Sequence, residues 1–332
     1  METEEYTLVR DMLRSFALRH RVGSADEIEP QSRTAAQHAL DELGLGELRR
    51  TSPPAATVQE CALLAEEHGR HPLTTSLLGT ALLAPELLRL LGTPAPASRP
   101  TIALARDLRF PGPDPAPPAA WDCDAADCAL HVAPDGTVRR VALGPPVRTA
   151  DLLRHVREAS GTGDGGEVIG RLTVEARQRW QAYALVVVAA ELVGAAHALV
   201  TLSTDYSRDR RQYGRPIGSF QAVQHLLADA TVLVEACASA TRYAAWCLDH
   251  EPADRALTAA RVAKAEVNAS AVEAVYAGMQ VLGGIAQTWE HVAHLYLRRV
   301  LVGARLLATT ADLLPALAEP FATTTAAPEV TR

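Results

Sequence analysis

The sequence predicts a mainly α protein with an N-terminal helical domain, a shortened middle β segment and a C-terminal four-helix bundle. Three observations carry this. Of the 332 residues, 48% are hydrophobic and only 5% aromatic, with alanine and leucine dominant, a composition that favours packed helices over sheets. Apolar residues recur at three- and four-residue spacing through both ends of the chain, the period of a helix with one buried face. Prolines cluster between those ends, in "TPAPASRP" and "PGPDPAPPAA", where no helix can run unbroken.

Residues 1–97 read as the first helical domain. Its runs are "YTLVRDMLRSFALRH", "SRTAAQHALDELG", "TVQECALLAEEHGR" and "LTTSLLGTALLAPELLRLLG", with Gly44, Gly69 and Gly92 standing where C-caps belong. Residues 98–165 read as a reduced β segment and linker, with strand-like "TIALA", "CALHVA" and "TVRRVAL" and a turn at Asp135-Gly136. The following "DLLRHVREAS" reads as a polar helix, and "ASGTGDGGEVIG" as a flexible linker. Gly161, Gly163 and Gly166 match the letters of a dinucleotide fingerprint, but that motif needs a buried strand before its first glycine, and a polar helical run is expected there instead. Residues 166–320 read as the bundle, with helices over 173–205, 219–249, 253–282 and 288–317 joined by short breaks. A disordered tail is expected over 321–332.

Composition also bounds the function. A formal net charge of −7 with dispersed arginines argues against a nucleic-acid partner. The acidic opening "METEEYTLVRDMLRSF" lacks the basic and apolar regions of a secretory signal, so a cytoplasmic protein is expected. The apolar run 182–202 approaches the length of a membrane span but contains Glu191 and His197; the central helix of a soluble bundle explains it better, and no membrane span is expected. An odd count of five cysteines in such a chain argues against a disulfide framework. Cys123 and Cys128 beside Asp122, Asp124 and Asp127 make a metal site conceivable, but without a second Cys/His pair nearby two reduced thiols are the simpler reading, and no metal is expected.

Two stretches carry chemistry. In "YSRDRRQYGRPIGSFQAVQHLLADA", residues 206–230, Arg208, Arg210, Arg211 and Arg215 surround Tyr213 at the end of the first bundle helix. Guanidinium groups there either complement the helix dipole or grip a phosphate beside a stacked ring. In "QVLGGIAQTWEHVAHLYLRR", Gly283-Gly284 ends one helix, while Thr288 is placed to cap the next with Glu290 in its first turn. Backbone N–H groups at that start would either receive a phosphate or be capped.

The first stretch resembles the signature of the acyl-CoA dehydrogenase family, with its Tyr, Arg, Gln, aromatic and Gly followed by Pro-Ile, Phe-Gln and His-x-x-Ala-Asp. The second resembles that family's other signature, in the Thr-Trp-Glu-His form found among actinobacterial members. The N-terminal "ECALLAEEHGRHPLTTSLLGTALLA" also resembles the family's helical domain. The resemblance implies an acyl-CoA dehydrogenase-like fold assembled as dimers of dimers, with FAD at subunit interfaces. It implies that Arg210, Gln212 and Tyr213 contact the FAD diphosphate and adenine side, that Phe220 starts the helix packed beneath, and that Gln280, Gly283 and Gly284 serve a cofactor shared with the neighbouring subunit.

The family's reaction removes an α-proton with a carboxylate, and its Glu occupies one of two locations. Those correspond to Leu307 and Ala184 here, and neither side chain accepts a proton. Glu191 lies two helical turns beyond Ala184; it reads either as a displaced base or as a buried carboxylate bonded to a neighbour. Ala286 and Gln287 replace a usual Gly and aromatic, and the β segment lacks the stretches that cover the flavin ring. The catalytic residue is therefore unknown from sequence. The expected function is a base-deficient subunit contributing an interfacial FAD site to α,β-dehydrogenation of an acyl-CoA or acyl-carrier thioester, as part of a heterotetramer with a homologous catalytic subunit. The alternatives are a self-sufficient homo-oligomeric enzyme with a displaced base, and a non-redox scaffold or acyl-binding or lyase-like protein.

Overall fold

The computed structural model describes residues 4–93, 98–112, 117–160 and 166–322. Gly161 and Gly163 of the glycine-rich stretch, and the tail from residue 323, lie outside the described residues.

The N-terminal part comprises α1 (Glu4–His20), α2 (Pro30–Glu42), α3 (Val58–Gly69), a π-helical stretch (Leu77–Leu83) and α4 (Ala84–Leu91). Pro30 presets the backbone at the first turn of α2. Thr57 and Glu60 close a reciprocal capping box on α3. Gly92, at φ +67°, ends α4. The helix expected from residue 73 starts instead at Leu77, because arginines from distant elements engage the preceding backbone. The carbonyl of Leu73 accepts from Arg299, that of Thr74 from Arg33, and that of Thr75 from Arg154.

The middle part is a six-stranded sheet of β1 (Pro100–Leu104), β2 (Ala119–Trp121), β3 (Cys128–Val132), β4 (Thr137–Val147), β5 (Val156–Ser160) and β6 (Glu167–Arg171). Its order is β3-β1-β2-β5-β4-β6, and the further β3–β4 pairing closes five strands into a small barrel, which removes exposed edges. Strands β1 and β3 are parallel and the other neighbours antiparallel. Burial alternates with the strand period: Ala103, Ala120, Ala129, Val141 and Ala159 form one cluster, while Ile102, Leu104, Trp121, Leu130 and Val138 join the main core.

Two expectations are corrected here. The stretch read as a polar helix contains β5, whose Val156 and Ala159 are buried while Glu158 faces solvent. The supposed linker leads into β6, paired with β4, so sheet extends to Arg171. Both pairings are with distant strands, which local periodicity does not report.

The C-terminal part is α5 (Val174–Asp209), α6 (Gln221–His250), α7 (Ala253–Leu282), α8 (Ala293–Gly303) and α9 (Thr310–Ala322). Helix α5 is long and apolar enough to cross a membrane by composition, yet most of that stretch is buried against α3, α6 and α7. The single helix expected over 288–317 is divided between α8 and α9. Leu307 sits between them at φ +69°; its N–H donates to the Leu108 carbonyl and its carbonyl accepts from Phe110 N–H, each at 2.8 Å. A non-glycine residue in that region cannot continue a helix. Residues 288–292 precede α8, so Glu290 is not in its first turn, and the Thr288 hydroxyl bonds Ile285 rather than capping it.

Helices α3 and α5 cross at closest approach through two glycines. A Cβ on Gly69 would stand 2.0 Å from the Glu191 carbonyl, and one on Gly194 would stand 1.9 Å from the Glu66 carbonyl. That crossing sets Glu191 against His68. The Glu191 carboxylate, 3% exposed, bonds the Arg154 guanidinium and accepts from His68 Nδ1 at 3.0 Å, with Arg299 at 3.7 Å. Arg154 also bonds Asp122 at 2.6 Å and lies 5.2 Å over the Trp121 ring. Arg299 pairs with Asp151 at 3.3 Å. Beside this, Arg33 pairs with Asp124 at 3.3 Å and bonds the carbonyls of Leu152, Leu153 and Thr74. Every layer contributes: α2, α3 and residues 73–76, the β-domain loops, α5 and α8.

Burial pushes His68 down to about 4, while Arg154 and Arg299 hold the Glu191 carboxyl below its usual range despite burial. At neutral pH the imidazole is therefore uncharged, donating to Glu191 and accepting from the Thr75 hydroxyl at Nε2, 3.0 Å away. Removing one partner of such a buried network leaves an uncompensated charge, so Glu191→Gln should cost about 3–5 kcal/mol in urea unfolding. Because the folded-state pKa of His68 is depressed, its contribution is complete above pH 6.5 and is lost as pH falls toward 4. Stability measured at pH 7.5, 6 and 5 should decline across that window, and a His68→Gln variant should lose most of the slope.

Candidate cofactor-binding site

Helix α5 ends at Asp209 and the chain turns through a two-residue hairpin, Arg211–Gln212 against Arg215–Pro216. Tyr213 and Gly214 form its tip at φ +52° and +79°, the double left-handed geometry that matches strand twist in a tight hairpin. A tyrosine held there costs conformational energy, and its ring is 92% exposed. Below it, Phe220 lies edge-on to Tyr213 at 6.1 Å, and the Arg215 guanidinium sits 4.2 Å over the Phe220 ring. The Arg210 carbonyl accepts from Ile217 at 2.7 Å, closing the base of the turn. Arg208 is paired with Asp205. Among the described residues, the side chains of Arg210 and Arg211 are exposed and make no ion pair. The Gln212 amide donates to the Arg211 carbonyl.

Gln280, Gly283 and Gly284 are exposed at the end of α7. Short turns on either side of α6 make α5 and α7 parallel, and the Ser203 hydroxyl donates to the Gly278 carbonyl at 3.1 Å. The hairpin and the glycine pair therefore occupy the same end of the bundle. Gly283, at φ +69°, requires glycine, and neither it nor Gly284 has an atom within 4 Å of a would-be Cβ, so a ligand can reach the backbone. These residues face outward: they fit the phosphate and adenine portion of a dinucleotide presented from outside this chain.

The two positions that the resemblance assigns to the family's base lie elsewhere. Ala184 is fully buried in α5 and Leu307 is 1% exposed between α8 and α9, so neither place offers a proton acceptor. Glu191 does not substitute, being sealed among Arg154, Arg299 and His68. Thr75, His68 and Glu191 form a hydroxyl–imidazole–carboxylate relay in outline, but all three are buried and none lines either of the cavities described next. Ala286 is buried and Gln287 exposed. Cys123 and Cys128 are buried free thiols.

The loop 105–110 crosses to the 304–309 segment through the Leu108–Leu307–Phe110 hydrogen bonds, and Arg109 pairs with Asp312 at 3.0 Å. A cavity of about 690 Å³ lies on one side of this crossing and one of about 490 Å³ on the other. The residues present thus fit one half of an FAD site and not the proton-abstracting half. Sequence reasoning missed the Arg154–Asp122 pair and the loop crossing. The available signal was the pair of charged residues set among apolar ones, "WDCDAAD" and "DLLRH".

An α domain, a small barrel and a helical bundle with a basic turn at one end define an acyl-CoA dehydrogenase-type architecture. The acyl-CoA dehydrogenase C-terminal domain family matches residues 183–307. The acyl-CoA dehydrogenase IpdE2 of Mycolicibacterium smegmatis is 33% identical over 267 residues, covering 79% of each chain. The chain therefore belongs to the acyl-CoA dehydrogenase family. IpdE2 of Mycobacterium tuberculosis is 39% identical over 131 residues, covering 40% of this chain and 39% of its own length. The same organism's FadE34 is 42% identical over 126 residues; the match covers 37% of this chain and only 17% of that protein. Among solved structures, the Tcur3481-Tcur3483 steroid ACAD superposes with a TM-score of 0.79 at 22% identity, covering 98% of this chain and 99% of that one. The ChsE4-ChsE5 complex from Mycobacterium tuberculosis gives 0.78 at 18% identity, with coverage of 98% and 99%. These two superpositions share the fold.

Because Arg210 and Gln280 make no contact that the folded chain needs, the double variant Arg210→Ala/Gln280→Ala should unfold in urea within about 0.5 kcal/mol of the parent. A larger loss would mean that these side chains support the bundle end.

Proposed function

We propose that this chain is the supporting subunit of a heteromeric acyl-CoA dehydrogenase, completing an FAD site for a base-bearing partner. One observation carries the reading: an outward-facing, ion-pair-free cofactor turn stands on a chain whose two base positions hold Leu307 and Ala184. Bound FAD supplies the hydride acceptor for α,β-dehydrogenation of an acyl thioester. The roles of this chain are to offer Arg210 and Gln212 to the diphosphate, Tyr213 over Phe220 to the adenosine side, and Gln280 with the Gly283-Gly284 backbone to the same group from the next helix. The proton acceptor comes from the partner. The heteromeric names of the two superposed structures support a partner, and "steroid" in one of them supports a bulky polycyclic acyl group. We place the assembly in the cytoplasm.

The substitutions at Ala286 and Gln287, with the loop crossing beside Leu307, favour a second reading, a non-redox acyl-binding protein. The visible absorption spectrum separates the two. The chain purified alone should be colourless, and co-expression with its nearest base-bearing homologue should give flavin bands. Arg210→Ala/Gln280→Ala in this chain should then lower the flavin content of the complex by roughly tenfold, the loss of one or two charge-assisted contacts. Flavin at one per chain in the solo preparation would sink the proposal, and so would protein that stays colourless in every pairing.

A further inference from the structure

The larger cavity beside the Leu108–Leu307 crossing has a composition that the cofactor turn does not explain. Its walls come from α5, α7, α9, the 304–309 segment and loop 105–112. Leu185, Leu257, Leu307 and Leu313 are buried apolar residues on those walls. Arg109 pairs with both Asp107 and Asp312, a trio that keeps one uncompensated negative charge. Arg106 is exposed at the rim. Arg261 is different. It is half-buried on α7 and, among the described residues, its guanidinium has neither a hydrogen bond nor an ion pair. It feels the charge of Glu319 on α9 but makes no ion pair with it, and burial disfavours its charged form.

A half-buried guanidinium with no protein partner offers its planar fork of donors to the cavity, and an anion there would pair with it. The Gln181 amide is the one neutral polar side chain among the described residues of the lining. Three arginines (Arg106, Arg109 and Arg261) against two aspartates (Asp107 and Asp312) leave the lining one net positive charge beside leucine walls, which matches a monoanion on an apolar body. A diphosphate would bring at least two negative charges to that single net positive one.

We propose that this cavity binds an apolar carboxylic acid, with Arg261 receiving the carboxylate in a bidentate pair and the leucine walls holding the hydrocarbon. Cavities of about 300–1,000 Å³ lined this way are typical of small-molecule sites. The site lies within this chain and stands whether or not the chain supports a flavin partner.

The structure also supplies a reporter. Phe110 lines the cavity, and its ring lies 5.7 Å from that of the buried Trp180. The full-length chain should be titrated with adamantane-1-carboxylate and, separately, with the neutral adamantane-1-carboxamide, following tryptophan fluorescence. Saturable binding of the carboxylate is expected, with the carboxamide at least tenfold weaker. Arg261→Met should weaken the carboxylate at least tenfold and leave the carboxamide within twofold, while Arg261→Lys keeps part of the preference. Ala316→Phe, which fills the cavity from α9, should abolish both, with circular dichroism confirming that each variant is folded. Equal affinity for the two compounds, unchanged carboxylate binding in Arg261→Met, no saturable binding of either compound, or binding that survives Ala316→Phe would each overturn the assignment. Displacement of the carboxylate by FAD would overturn it as well, by assigning the cavity to a dinucleotide.

Discussion

The Glu191 carboxylate holds the three structural layers in register. It sits in α5, whose apolar stretch is long enough to cross a membrane, and accepts from Arg154 of a β-domain loop and His68 of α3, with Arg299 of α8 close by. An isolated carboxylate in that position would be prohibitively costly. With two guanidiniums and an imidazole around it, the same group becomes a tie between domains. The tie is geometrically demanding, since α3 and α5 must approach closely enough to exclude a Cβ at Gly69 and Gly194. The same two arginines engage the carbonyls of Leu73 and Thr75, and Arg33 engages that of Thr74, which is why the chain cannot begin the next helix until Leu77.

The same network settles what Glu191 is for. A general base needs access to a substrate proton and a pKa near the working pH. Glu191 has neither, being enclosed and held in its charged form by its partners. Chemistry that requires a proton acceptor is consequently absent from both family positions in this chain, while the outward turn at Arg210–Phe220 keeps the features of an anion-binding surface.

The crossing of loop 105–110 over residues 304–309 separates this chain's interior from a simple bundle. Leu108 and Leu307 both adopt left-handed backbone, φ +64° and +69°, and the bonds of Leu307 to Leu108 and Phe110 lie where the sequence pattern presents one continuous helix. Two cavities adjoin the break. The half-buried position of Arg261 follows from the same rearrangement, because α9 packs back over α7 only after the chain has turned at Leu307.

Local pattern determined a large part of this protein. The three- and four-residue apolar spacing located α1 to α7 within a few residues, the prolines marked the change to sheet, and the two long motifs pointed to the turn at Arg210–Tyr213 and the glycines at 283–284. Helices and tight turns are built from neighbours in sequence, so their signals are local. Tertiary structure decided what depends on distant partners. The pairing of β5 and β6 overrode a polar, helix-like stretch and a glycine-rich one. The division of α8 from α9 arose from backbone bonds to a loop some 200 residues away. Whether Glu191 was a base or a tie turned on which guanidiniums arrived around it, and those come from residues 154 and 299. A side chain's charge is written in the sequence; its neighbours, and hence its chemistry, are fixed only when the layers close.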